Sequence, residues 1–257
     1  MSEMRLTFLG TGTSVGVPYI GCGCEVCRSE DPRDRRLRCS ALIDIGERRL
    51  IIDVGPDFRQ QMLGQTFRRI DAVLLTHIHY DHVGGMDDLR PFCMFGSINV
   101  YGDAGTMEAL EKRIMPYCFA EKHYPGSPSF ELHRVRERVP FAVKGIEIVP
   151  VRVMHGRLPI LGYRIGRLAY ITDMKTMGED DVRCLEGVDT LVVNALRFAP
   201  EHSTHQCVDD AICFARRLGA RRTYLIHMCH EIGLHAKVSG MLPPNVFLAY
   251  DGLVVEI

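Results

Sequence analysis

The chain has 257 residues, 46% hydrophobic and 25% charged, the composition of an ordinary globular protein and a length suited to one large domain. Its 31 Lys and Arg against 32 Asp and Glu leave a net charge of −1, which argues against a general nucleic-acid coat or a binder of anionic membranes. No apolar run approaches the ~18 residues needed to span a bilayer, and the first ten residues lack a basic-then-apolar leader, so a cytoplasmic protein is expected.

In chain order, residues 5–9 read as a strand that enters a glycine-rich turn over 10–16. Residues 40–45 and 49–53 read as a hairpin closed near Gly46-Glu47. Short apolar strands are predicted over 72–76, 98–101, 146–149, 161–165, 168–172, 190–193, 222–226 and 252–257. Helices are fewer: 57–63, 106–116 with Thr106 as N-cap, and about 206–219. In the last of these Val208, Ala211, Ile212, Ala215 and Leu218 form one apolar face and Gly219 ends it. Many strands with interspersed helices predict sheets packed together with helices outside, in a single domain over 1–257.

The composition also holds 10 Cys and 11 His. In a reducing compartment clustered cysteines and histidines point to metal rather than to disulfides. Thr76-His77-Ile-His79-Tyr-Asp81-His82 follows directly on a buried strand. Imidazole and carboxylate ligands suit Zn, and also Fe or Mn, and a polar run this dense is costly to bury without an ion. One short run cannot saturate two metals. His155, Asp173 and His227 each end a strand-like run and so fall on the same rim.

The motif and its spacing to His155, Asp173 and His227 resemble the metallo-β-lactamase superfamily. The likeness runs over essentially the whole chain, from Leu9-Gly-Thr-Gly12 and Ile51-Ile-Asp53-Val-Gly55 onward. Within the superfamily it resembles the PhnP phosphodiesterases of the carbon–phosphorus lyase pathway, which open a ribosyl cyclic phosphate. The resemblance implies an αββα sandwich, two mixed β-sheets flanked by helices, with a dinuclear site at one edge. It implies that His77, His79 and His155 hold one metal and that Asp81, His82 and His227 hold the other, with Asp173 bridging. It also implies that Asp53 orients a ligand without touching metal, and that the protein is a homodimer.

Cys22-Gly-Cys24-Glu-Val-Cys27 offers three thiolates to a tetrahedral structural zinc that lacks one ligand. Spacing leaves Cys39, Cys229, His202 and His230 open as the fourth, and the PhnP resemblance selects His230. Cys93, Cys118, Cys184, Cys207 and Cys213 are expected to be buried small hydrophobes. His205 matches the histidine that precedes the last long helix in PhnP and tRNase Z, near the scissile phosphate, with His202 the competing match. A histidine there could donate a proton to the leaving oxygen, so His205 and Asp81 are the catalytic candidates. His123, His133 and His235 are given no role, and Arg33, Arg35, Arg36 and Arg38 form a basic cluster read as a solvated face or a phosphate contact.

These residues predict hydrolysis of a small phosphodiester substrate, cyclic or linear, by a hydroxide bridging two divalent ions, zinc or manganese. No serine or cysteine nucleophile motif competes. The second reading is tRNA 3′ processing, against which residues 116–140 are too short and too mixed in charge for a basic RNA-clamping arm. The third is thioester or lactone hydrolysis of the glyoxalase II type. A non-enzymatic binding module fits least, because oxygen and nitrogen ligands of this kind leave room for water.

Overall fold

The structure, a computed structural model, describes residues 3–120 and 126–257. The strands it contains are β1 (Met4–Gly10), β2 (Ser40–Ile45), β3 (Arg48–Ile52), β4 (Ala72–Leu74), β5 (Ile98–Gly102), β6 (Phe130–Arg134) and β7 (Phe141–Val143), followed by β8 (Ile146–His155), β9 (Leu158–Ile165), β10 (Leu168–Ile171), β11 (Thr190–Asn194), β12 (Arg222–Ile226), β13 (Val246–Leu248) and β14 (Val254–Glu256). They form two seven-stranded mixed sheets, in the orders β14-β1-β2-β3-β4-β5-β6 and β13-β12-β11-β10-β9-β8-β7. The 40–52 hairpin closes at Gly46, which takes the left-handed conformation (φ +55°) that a tight turn requires. Strands β10 to β13 run parallel. Parallel strands are covered on both faces, which is why β10 to β12 read as unbroken apolar runs rather than as alternation.

The sheets pack face to face. Leu6, Phe8, Ile43 and Ile52 of the first meet Tyr163, Tyr170, Val192 and Ile226 of the second in one apolar layer. Helix α1 (Phe58–Leu63), the short α2 (Tyr80–Val83) and α3 (Ala104–Ala109) belong to the outer layer on the first sheet. Helix α4 (Glu179–Arg183), α5 (Val208–Leu218) and α6 (His235–Ser239) cover the second. This is the αββα sandwich. Helix α5 buries Val208, Ala211, Ile212 and Ala215, and Gly219 (φ +69°) ends it with the expected left-handed cap.

Three details depart from expectation. Thr106 is not the cap of α3: the Asp103 carboxylate accepts from Thr106 N at 2.7 Å, so the helix begins two residues earlier and then widens into a π-turn over Leu110–Ile114. A carboxylate one residue before Ala104 outweighs the poor helix propensity of Gly105. Strand β8 runs on to His155 through Pro150, which lies opposite Tyr163. Strands β6, β7 and β13 escape the apolar pattern because they are short or partly exposed. Among the described residues no helix is long and apolar enough to cross a membrane.

Candidate metal centre

Five strand ends meet at one rim. Asp53 follows β3, the 76–82 run follows β4, His155 ends β8, Asp173 follows β10 by two residues, and His227 follows β12. Asp53, Asp173 and His227 all take left-handed backbone, with φ of +59°, +54° and +56°. For residues other than glycine this costs about 1–2 kcal/mol each, a concentration of strain characteristic of functional sites. The 76–82 run is pinned to its surroundings. Val54 N donates to His82 O at 2.8 Å, Gly85 N donates to Val54 O at 2.9 Å, and Tyr163 OH of the second sheet donates to Leu75 O at 2.6 Å. Gly55 is required here, because a Cβ on it would lie 2.2 Å from Asp81 O.

For three of the histidines the ring nitrogen facing away from the cluster is tied to protein, whereas His227 Nδ1 is buried without a hydrogen bond among the described residues. His82 Nδ1 lies 2.7 Å from Asp53 Oδ2, His77 Nδ1 lies 3.0 Å from Thr76 Oγ1, and His155 Nδ1 donates to Thr204 O at 3.1 Å. Asp53 is itself fixed by Thr76 N and Thr76 Oγ1, each donating at 2.8 Å. The opposite nitrogens converge. His82 Nε2 lies 3.2 Å from Asp81 Oδ2 and 3.3 Å from Asp173 Oδ2, and His227 Nε2 lies 3.1 Å from Asp173 Oδ1. Yet the Nε2 atoms of His77, His82 and His227 are buried without any hydrogen bond among the described residues. Lone pairs and carboxylates that are close but not aligned to each other are aligned to a common point, so the donor set fits divalent cations.

Ligand atoms fall within 4.8 Å of one another in three groups: Asp81, His82 and His227; His77, His82 and Asp173; and His155, Asp173 and His205. The first is one of the expected sets, and Asp173 stands in the other two. His79 is in none of the three, but its ring centroid lies 4.4 Å from that of His77 and 5.2 Å from that of His155. Burial opposes charge on His82, but Asp53 and Asp173 outweigh it and raise its pKa well above the usual range, holding a proton at Nε2 that a cation bound there would displace. For Asp173 the same burial is outweighed by His227, His82 and His205, and its carboxyl stays well below the usual range. Burial, then His82, drives His77 well down, the neutral form a metal ligand needs.

The structure brings both His205 and His202 to the rim, in different places. His205 Nε2 is 3.0 Å from Asp173 Oδ1, and its ring stacks on His227 at 4.9 Å and meets His155 edge-on at 4.7 Å. Burial pushes it down to about 4, against the pull of Asp173. His202 sits one layer out, its Nδ1 3.0 Å from His205 Nδ1. Thr204, absent from the sequence reading, touches both rings and His155, and only the fold could place it.

Cys22, Cys24, Cys27 and His230 form a fourth group of ligand atoms within 4.8 Å. Cys22 Sγ and Cys24 Sγ lie 3.3 and 3.4 Å from His230 Nδ1, and the backbone amides of Tyr19 and Cys27 donate to Cys27 and Cys24 sulfurs. The Cys27 amide, then His230, pulls the Cys24 thiol down to about 6. Of the other candidates, Cys39 is buried near Asp173 and His82, Cys229 contacts Glu231, and His202 faces His205.

Other expectations need correction. Cys118 and Cys207 are buried, but Cys93 and Cys184 are only partly so and Cys213 is exposed, because its position on α5 faces away from the sheet. The basic cluster is dispersed: Arg33 pairs with Asp31, Arg38 with Asp57, and Arg36 is buried against Thr11 and Ala249 O. His133 bonds Asn99, His235 packs beside Arg36, and His123 lies outside the described residues. Residues 130–134 of the segment weighed as an RNA arm are an ordinary strand of the first sheet. A recess of about 520 Å³ opens beside His77, lined by Ile78, Arg113, Val135, Arg136, Leu158 and Pro159 among others.

Residues 48–228 match the family described as Beta-lactamase superfamily domain. A solved structure titled as a new diphosphatase from the PhnP family is 38% identical, with a TM-score of 0.91 over 99% of this chain and 97% of that one. Zn(2+)-bound PqqB from Methylobacterium extorquens, 21% identical, shares the fold with a TM-score of 0.79 over 98% of this chain and 100% of that one. A protein of Porphyromonas gingivalis named octanoyltransferase is 45% identical over 97% of this chain, which spans 51% of that protein, about half its length.

Proposed function

The chain belongs to the beta-lactamase superfamily and, within it, to the PhnP family, and from that premise we propose that it hydrolyses a small phosphodiester or diphosphate with two divalent ions at the sheet rim. It is a metal-dependent hydrolase; the substrate, the number of ions and the roles below are our reading. The observation that carries it is the convergence of unpartnered His77, His82 and His227 nitrogens on Asp81 and Asp173. His77, His79 and His155 would hold one ion, Asp81, His82 and His227 the other, and Asp173 both. Bound there, divalent ions supply Lewis acidity toward phosphoryl oxygens and lower the pKa of water.

The chain's own residues do the rest. Asp53 holds His82 by Nδ1 and Thr204 O holds His155 by Nδ1, so each ring presents Nε2. The recess beside His77 excludes water from part of the substrate and fixes its direction of approach. His205, with Nε2 at the rim, is placed to hand a proton to the departing oxygen. A zinc held by Cys22, Cys24, Cys27 and His230 would clamp the 19–27 loop to the segment that follows His227. The family resemblance supports a homodimer, and the net charge favours a small substrate over RNA.

The half-length match to a protein named octanoyltransferase supports one alternative, hydrolysis of an acyl thioester at the same rim. Turnover of cyclic and linear phosphodiesters, diphosphates, precursor tRNA and acyl thioesters, with Mn and Zn supplied separately, decides between them. The proposal expects small phosphodiesters or diphosphates to be cleaved and Asp173→Ala to abolish it. Cleavage confined to thioesters, or to precursor tRNA, would sink it.

A further inference from the structure

Helix α1 and the 3₁₀ segment Met86–Phe95 leave between them a cleft of about 260 Å³ in the outer layer of the first sheet. Phe58 and Phe92, both buried, form its floor with ring centroids 6.3 Å apart. The side chains around its mouth are large, apolar and open to solvent. Leu63 is 70% exposed, Phe67 51%, and Met94 72%, the last next to the Phe95 ring that meets Phe67 at 5.4 Å. An apolar patch of this kind on a water-facing layer marks an interaction site.

The charges at the cleft say what fits it. Arg59 lines it from α1 and Asp88 from the 86–95 segment. Neither side chain has an ion pair or hydrogen bond among the described residues, although Arg68 nearby is held by Asp44 and Arg90 by Asp87. An acidic or a basic partner would match one of the two charges and oppose the other. A second copy of the chain, turned by a twofold axis, matches both at once and lays one apolar patch on the other.

We propose that this cleft is the interface of a twofold homodimer, in which Leu63 and Phe67 enter the cleft of the partner and Arg59 pairs with Asp88 of the partner subunit. The proposal gives a surface to the homodimer reading and rests on it, but it does not depend on which ester is cleaved.

Sedimentation of the metal-loaded full chain tests it, with wild type expected at twice the mass of one chain. Arg59→Glu sets like charges opposite each other, as does Asp88→Arg, and each is expected to raise the dimer Kd at least about tenfold. Combining the two exchanges the charges in both copies and should bring Kd back to within about threefold of wild type. Leu63→Glu, at a side chain the monomer leaves in water, should give a monomer with the wild-type circular dichroism spectrum. If that variant misfolds, the charge exchange still decides, because it compares single and double variants at the same two positions. A monomeric wild type overturns this proposal and the homodimer reading together, leaving the cleft to a small apolar ligand or a different chain. A wild-type dimer that survives both single charge reversals and Leu63→Glu keeps the homodimer and overturns this face of it. Dissociation by the single reversals without recovery in the combined variant overturns the pairing of Arg59 with Asp88.

Discussion

His82 Nδ1 lies 2.7 Å from Asp53 Oδ2, and neither side chain has any contact with solvent. A buried carboxylate that accepts from a ring, a backbone amide and a hydroxyl at once fixes the histidine before any ion arrives. Asp53→Ala removes the shared acceptor of three buried donors, leaving His82 Nδ1 only a long contact of 3.5 Å to Thr76 Oγ1, and should cost about 3–5 kcal/mol in the metal-free fold. Asp53→Asn keeps the shape but removes the charge, and should weaken metal binding by about 10–100-fold. Urea denaturation of the stripped protein reads the first effect and chelator competition the second. Unchanged affinity in Asp53→Asn would show that the carboxylate acts on stability alone.

The cysteine cluster should behave as a separate centre. With the rim reconstituted in manganese, zinc content is expected near about one per chain, falling toward none in Cys24→Ser and His230→Ala while manganese is retained. The same variants should unfold at lower temperature, since the 19–27 loop loses its tie to His230. Zinc retained in both variants would contradict this assignment.

Acidity offers a test at a residue outside the metal ligands. Burial pushes Asp251 up to about 6, against hydrogen bonds from Leu37 N and Thr11 Oγ1 and the Arg36 cation. Its folded form therefore keeps a proton that the unfolded chain gives up near pH 4. Stability relative to Asp251→Asn should fall as pH rises from about 4 to 6, by at most roughly 3 kcal/mol, and stay level above that window. Chemical denaturation of both proteins across pH 4–8 measures the difference. A level difference throughout would mean that the carboxyl is not raised.

A methyl group is enough to disturb the rim. A Cβ on Gly85 would lie 2.0 Å from Gly55 O, in backbone that cannot swing aside. Gly85→Ala should cost about 2–3 kcal/mol and lower metal occupancy, whereas Gly64→Ala, with open space around it, should do neither. Thermal unfolding and metal analysis of the two variants side by side make the comparison.

The 77–82 run was legible because its ligands are contiguous, and His155, Asp173 and His227 because each closes an apolar strand. The link from Asp53 to His82 was reachable only through family likeness, since a hydrogen bond across two loops leaves no local pattern. Spacing left four partners open for the cysteines; family likeness pointed to His230, and the fold brings residue 230 back to residue 24. Thr204 and the left-handed φ of Asp53, Asp173 and His227 could not be read at all. A backbone conformation paid for by tertiary packing has no signature in an isolated segment. Strands β6 and β13 were missed for a different reason, the first being too polar and the second, at three residues, too short to stand out.

Strand β14 pairs with β1 through Arg5 and Glu256, although it follows the whole second sheet in the chain. The outer side of β1 therefore waits for residue 256 before it is paired. A polypeptide still emerging from the ribosome can assemble β1 to β6 early, yet it exposes an open flank until translation has passed every rim histidine and aspartate. The last rim ligand, His227, and the strand that covers β1 thus emerge within the same short interval of synthesis. An abbreviated translation product ending before β14 should carry all the ligands and still present β1 as an unpaired strand edge.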